Sequence, residues 1–297
     1  MASAPTLDPR RNAWRGDLAA EALRDKVAAP RYAAGERFQT IEPSVPLRGA
    51  PDPWAGWFTE VLFGELLTVY DECEGWSWVQ LAGDGYVGYL PTAALSRSVL
   101  EATHRVSAPG TWLYPTANIK ACPLLHLSMN ALLSVAEAGE TFARLRDGRW
   151  VPTAHIAALE RFAPDFVAVA EAFLGAPYVW GGKTRLGLDC SGLLQVALNA
   201  AGMTCPRDSD MQEAEVGERL PVADALPGRV RGDLVFWKAH VGIMIDAERL
   251  VHANAFHMAV AIEPLRVAAA RIAATGSAIT AVKRLRPLSA IAGQGPH

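Results

Sequence analysis

The chain has 297 residues, 51% of them apolar and 20% charged, with a formal charge of −3. A disordered chain would show few apolar residues and a large net charge, and a nucleic-acid binder a basic excess; neither signature is present. The length supplies one large core or two to three smaller ones.

The first residues, MASAPTLDPRRNAWRGDLAAEALRDK, place arginines and acids where a secretory signal needs an apolar stretch, and so read as a mature cytoplasmic start. No charge-free apolar run approaches the roughly 18 residues of a membrane-spanning helix. In residues 8 to 30, Leu18, Leu23 and Val27 are spaced for one apolar stripe, which predicts a short charged helix. From about 40 to 95 the texture changes to β-branched and aromatic residues broken by Gly-Asp-Gly and Glu-Gly turns, the pattern of a small antiparallel barrel. Residues 105 to 160 repeat the plan more loosely, ending in Gly-Arg-Trp-Val-Pro, and read as an internal repeat of the same barrel type. Both segments resemble bacterial SH3 domains, the first through its Phe-Gly-Glu, Gly-Trp-x-Trp-Val and Asp-Gly-Tyr-Val-Gly-Tyr-Leu-Pro runs. Trp54, Trp57, Trp76, Trp78, Tyr86 and Tyr89 are expected mostly as barrel core and rim, because large rings bury their area.

From about 164 onward the pattern changes again. PDFVAVAEAFLGA predicts an amphipathic helix with Phe166, Val169, Ala170 and Phe173 on one face, stopped at Gly175 ahead of Pro177. A second helix begins at Asp-Cys-Ser-Gly and runs to Gly202, and the strands GDLVFWK, HVGIMID and RLVHANA follow. The alanine-rich stretch 253 to 281 reads as helix and strand, broken by His257, Glu263, Pro264, Arg266 and Arg271. Helices first and strands after predict an α+β domain with an antiparallel sheet. The expected organisation is a helical segment over 1–38, SH3-like barrels over 39–100 and 101–162, the catalytic domain over 163–286, and a tail over 287–297.

The four cysteines, at 73, 122, 190 and 205, are too scattered for a disulfide framework, and no pair has the spacing of a zinc knuckle. Cys190 stands apart because it opens a predicted helix. The N–H groups of a first turn and the positive end of the helix dipole favour thiolate over thiol. They also offer donors where an oxyanion would form. A buried structural cysteine is the alternative. His240 and His252 lie on consecutive strands around the turn 246–249, and a hairpin centred there sets them nearly opposite on one face. A helix-start thiol with two facing imidazoles fits a nucleophile, a base and an orienting group.

PYVWGG, LDCSG, PRDSDMQ, RGDLVFW, HVGIMI and LVHANA, in this order over roughly residues 165 to 285, resemble the NlpC/P60 family of papain-like cysteine peptidases. With the SH3-like segments in front, the whole chain resembles the murein-peptide-recycling endopeptidases that cut between γ-D-glutamate and a diamino acid. The resemblance implies a papain-like catalytic domain in which Cys190 is the nucleophile, His240 the general base and His252 the group that orients it. It also implies that Tyr178 lies beside the nucleophile, with a packing tyrosine as the alternative. The free amine of an N-terminal L-alanine would be held by Asp189, Ser191, Ser209 and Tyr86, since an ammonium needs oxygen acceptors to replace its hydration. Against that stand helix capping by Asp189 and Ser191 and barrel packing by Tyr86; Glu60 is the first candidate for an acidic partner from the first barrel. Neither metal nor organic cofactor is implied. Zinc on Cys190, His240 and His252 has the right ligand types but needs a fourth group and no other use of the thiolate. The expected partner is a murein peptide, with no nucleic acid, no membrane and no oligomeric partner assigned. Two alternatives stay open: a wall-binding protein with a passive peptidase domain, and an acyl transferase on the same scaffold.

Overall fold

The computed structural model describes residues 7–221 and 228–285; the tail expected over 287–297 lies outside them. The chain divides into two compact units, one holding residues 1–162 with 180–185, the other 163–179 with 186–297.

In the first unit the segment expected as a helix is instead a set of short strands, Trp14–Arg15, Leu18–Ala20 and Arg31–Ala33, with a single 3-10 turn at Glu21–Leu23. Leu18, Leu23 and Val27 are inward-facing as their spacing implied, but against Trp78 and Val87 of the following sheet. Tertiary packing decides here: Leu18–Ala20 pairs antiparallel with Trp14–Arg15 and parallel with Arg31–Ala33, ladders that a helix would forgo.

Residues 36–96 form a seven-stranded sheet with edges at Leu95–Ser96 and Trp57–Leu62. Between the edges lie Glu36–Thr40, Leu66–Cys73, Trp76–Leu81, Val87–Pro91 and Ser44–Arg48, in that order. The strand ladder is open at its edges, where the sequence predicted a small antiparallel barrel. Alternation turns Leu67, Val69, Val79, Leu81 and Leu90 inward with Phe38, Val45 and Leu47. The Glu-Gly turn has φ of 50° at Glu74 and 80° at Gly75, joining Cys73 to its partner Trp76; two positive φ values suit the twist of a tight hairpin. Trp78 is buried as expected, whereas Trp54 is 90% exposed.

Residues 104–158 form three small sheets around Val106, Leu113, Leu127, Leu133, Leu145 and Val151, with Leu62 at the end of the preceding sheet and Phe63 after it in the same cluster. The two halves share one detail: Thr92–Ala94 after Pro91 and Thr153–His155 after Pro152 are both 3-10 turns leading into a short strand.

The second unit is the expected α+β domain. Helix α1 spans Phe166–Glu171, capped by Asp165 accepting from the N–H of Val167, and the chain leaves it through Gly175 at φ 80°. Helix α2 is Cys190–Ala200 and α3 is Ser209–Glu215. An antiparallel six-stranded sheet follows in the order Glu218–Leu220, Ile279–Arg284, Leu234–Trp237, His240–Met244, Arg249–Asn254, Ala259–Pro264. Helix α4, Leu265–Ala273, lays Leu265 and Ala268 on Val235, Trp237, Met244 and Leu250 of that sheet. Helix α2 packs against the His240–Met244 and Arg249–Asn254 strands. Among the described residues no helix is long and apolar enough to cross a membrane.

Candidate active site

Cys190 is the first residue of α2, and Asp189 is its N-cap, with Oδ1 accepting from the N–H of Gly192 at 2.7 Å. Capping and dipole thus act at the thiol, as the sequence implied. Burial nevertheless wins: with the negative charge of Asp189 it pushes the Cys190 thiol up to about 12, against the opposing pull of the Val241 and Ser191 N–H groups and of Arg207. The expected thiolate is therefore a neutral thiol in the free protein. Its Sγ lies 4.0 Å from the carbonyl oxygen of Ala239, so the sulfur sits against backbone on both sides of His240.

The hairpin brings the two histidines together, diagonally. Ile243 pairs with Val251 and Met244 with Leu250, which sets Gly242 across from His252 and His240 two residues along the same face. His240 Nε2 and His252 Nδ1 are 2.8 Å apart. Gly242 keeps this diagonal open: a Cβ there would meet Leu250 Cδ1 at 2.5 Å and His252 Cβ at 3.6 Å. His252 is 1% exposed. Both imidazoles are held neutral, pushed down to about 3: His240 by burial, His252 and Arg271, and His252 by burial, Arg271 and His257.

The row continues to residues that sequence reasoning left without a role. His252 Nε2 lies 2.8 Å from Glu263 Oε1, and Arg271 of α4 pairs with the same oxygen. In the sequence Glu263 and Arg271 are only breaks in an alanine-rich stretch; a lone acid in an alternating apolar strand was the available signal. His257 Nδ1 lies 4.0 Å from Glu263 Oε1, and ligand atoms of His252, His257 and Glu263 fall within 4.8 Å of one another. This grouping differs from the zinc set considered above, which had Cys190 and His240 in it. Arg271 on the carboxylate opposes a cation there.

Tyr178 is half-buried, its N–H donating to the carbonyl of Met258 at 2.9 Å. Its phenol is pushed up to about 12 by burial and by proximity to Cys190 and Asp189, which sets it in the electrostatic neighbourhood of the thiol. Asp189 and Ser191 both engage Arg207, which lies in the PRDSDMQ run. Its Nη1 donates to Asp189 Oδ1 at 2.9 Å and Ser191 Oγ at 2.8 Å, and its Nη2 to Asp189 Oδ2 at 2.8 Å. Ser209 opens α3, and one turn on Gln212 donates to the carbonyls of Ser191 and Pro206, tying α3 to the start of α2. Tyr86 and Glu60 belong to the first unit. Tyr86 packs in its sheet core with Phe58 at 6.0 Å between ring centres, and Glu60 is buried, Oε2 accepting from the N–H of Lys183 at 2.8 Å. All four cysteines are free thiols; Cys73 and Cys122 are exposed and Cys205 is buried.

A helix-start thiol beside strand-borne imidazoles on an antiparallel sheet makes the chain, in class, a cysteine peptidase. Residues 175–274 match the model of the NlpC/P60 family, and residues 47–95 match the bacterial dipeptidyl-peptidase SH3 domain. The chain thus carries an NlpC/P60 domain with that SH3 domain in front of it. It is 29% identical over 220 residues to a γ-D-glutamyl-L-lysine dipeptidyl-peptidase of Bacillus subtilis, covering 65% of this chain and 71% of that protein. It is 25% identical over 233 residues to dipeptidyl-peptidase 6 of Lysinibacillus sphaericus, covering 70% of this chain and 84% of that protein. In fold it is similar to the crystal structure of an NlpC/P60 family protein from Bacillus cereus, with a TM-score of 0.70 over 85% of this chain and 100% of that one, at 21% identity.

Proposed function

We propose that this peptidase hydrolyses the γ-D-glutamyl–diamino acid bond of peptidoglycan-derived peptides that carry a free N-terminal L-alanine, with Cys190 as nucleophile, His240 as base and His252 as its orienting partner. The observation that carries the reading is the unbroken row His240, His252, Glu263, which begins one residue after Ala239, whose carbonyl oxygen lies 4.0 Å from the sulfur of Cys190. The named activity of the Bacillus subtilis relative supports the choice of bond.

In this reading the thiol of Cys190 attacks the γ-glutamyl carbonyl as its proton passes to neutral His240. N–H groups at the start of α2, with Tyr178, stabilise the oxyanion. The imidazolium gives its proton to the departing amine, and His240, neutral again, activates the water that releases the acyl group. A pair that is neutral at rest suits attack coupled to proton transfer. Recognition of the alanine ammonium is assigned to Asp189, Ser191 and Ser209 of the second unit. Because Arg207 already compensates Asp189 and binds Ser191, the hydroxyl of Ser209 carries more of that recognition. We also assign residues 101–162 to a second SH3-like module, and the enzyme to recycling of small wall peptides in the cytoplasm.

Turnover of L-Ala-γ-D-Glu-meso-diaminopimelate tests the reading. Release of L-Ala-γ-D-Glu is expected, with a sharp loss of kcat/KM when the alanine amine is acetylated. Equal cleavage of free and acetylated peptides would overturn the amine requirement, and cleavage at another bond would overturn the assignment of the reaction.

A further inference from the structure

We infer that Glu263 is a positioning residue that fixes the proton order of the whole row, leaving Nδ1 of His240 as its basic nitrogen, and that Arg271 braces this carboxylate. The inference rests on the reading of Cys190 and His240 given above.

The register makes the row. His252 pairs with Ala261 on one side and lies across from Gly242 on the other, while Glu263 pairs with Leu250. Both steps of the row therefore run diagonally between adjacent strands, with a small residue squarely opposite His252 on each side, and diagonal neighbours on one face are within reach of long side chains. The chemistry then has one solution. An ionised carboxylate only accepts, so His252 Nε2 must carry a proton and His252 Nδ1 must be a lone pair. His240 Nε2, 2.8 Å from that lone pair, must then be the donor, and Nδ1 is the only site left on His240 for an incoming proton. A chain ending in a donor at position 263 would drive the order the other way and put a proton where the base is needed.

Arg271 braces the carboxylate. Its guanidinium pairs with Glu263 Oε1 and stacks 4.2 Å above the ring centre of Phe256. It is also among the groups that hold both histidines neutral, whereas Glu263 and Asp189 act on His240 in the opposite sense and His257 adds to the lowering at His252. Arg271 and Glu263 therefore pull the basicity of His240 in opposite directions.

Histidine 15N chemical shifts in the full-length protein at neutral pH test the inference without any substitution. His240 and His252 are both expected with Nε2 protonated and Nδ1 unprotonated; a proton on Nδ1 of either would overturn it. Glu263→Leu should mix the two tautomers and lower kcat about 10–100-fold with KM little changed. Glu263→Gln, which keeps a carbonyl acceptor, should restore most of the rate with the acid limb of the kcat profile moved to lower pH. Arg271→Met should move that limb to higher pH. Full kcat and unchanged tautomers in Glu263→Leu, or coincident limbs in Glu263→Gln and Arg271→Met, would contradict it. Failure of the parent reading would look different: activity would survive Cys190→Ala whatever the tautomers.

Discussion

Asp189–Arg207 at the start of α2 and Glu263–Arg271 at the far end of the histidine row are built from the same two functional groups in different surroundings. The first is sealed, with Arg207 1% and Asp189 9% exposed at the side chain, and its carboxylate also caps a helix. The second is open on the arginine side, 24% against 8%. A sealed pair cannot lose one partner without stranding the other charge in a low dielectric. An open one lets water take over. The sealed pair thus fixes where the nucleophile stands, and the open pair adjusts how readily the base takes a proton.

Cys190→Ala gives the largest expected effect: at least about a 10³-fold loss of turnover, with thermal unfolding little changed, read in a peptide cleavage assay. Arg207→Met should destabilise the protein by about 3–5 kcal/mol, measured by urea unfolding. Adding Asp189→Asn should recover part of that loss, and no recovery would break the contrast between the pairs. Arg271→Met should cost about 1 kcal/mol or less in the same experiment, with its main effect on the pH profile.

Acid should expose the buried histidines. An unfolded imidazole takes a proton near pH 6.5, whereas His240 and His252 in the folded chain resist protonation down to about 3. Between those limits the unfolded chain binds more protons, so stability falls as pH drops below about 6.5. A Tm series across that window should show the loss, and His252→Asn should flatten it.

An effect of similar size and opposite sign concerns the turn before the base. Ala239 sits at φ 59°, a left-handed conformation that costs a residue with a side chain about 1–2 kcal/mol. Ala239→Gly should therefore raise stability by about 1 kcal/mol in calorimetry.

The thiol, the two histidines and the α+β order were legible because each rests on local signals: a cap before a helix, alternation in strands, a turn between them. The same logic failed over residues 8 to 30. There a helical spacing of Leu18, Leu23 and Val27 is satisfied by strands packed on Trp78, a partner more than fifty residues away in sequence that no window contains. Protonation misled for a related reason. Position at a helix start is local, but the burial that outweighs it at Cys190 comes from the whole fold. Glu263, Arg271 and Arg207 escaped because ion pairs leave no periodic trace. They emerge only once the register of the sheet and the packing of α3 and α4 set each arginine against its acid.

Intact-mass and peptide-level spectrometry of an acid-quenched reaction on L-Ala-γ-D-Glu-meso-diaminopimelate reaches the central claim most directly. The expected result is an L-Ala-γ-D-Glu thioester on Cys190, formed as the diamino acid is released and absent from Cys190→Ala. Turnover without an adduct on Cys190, continuing in the Cys190→Ala protein, would contradict it.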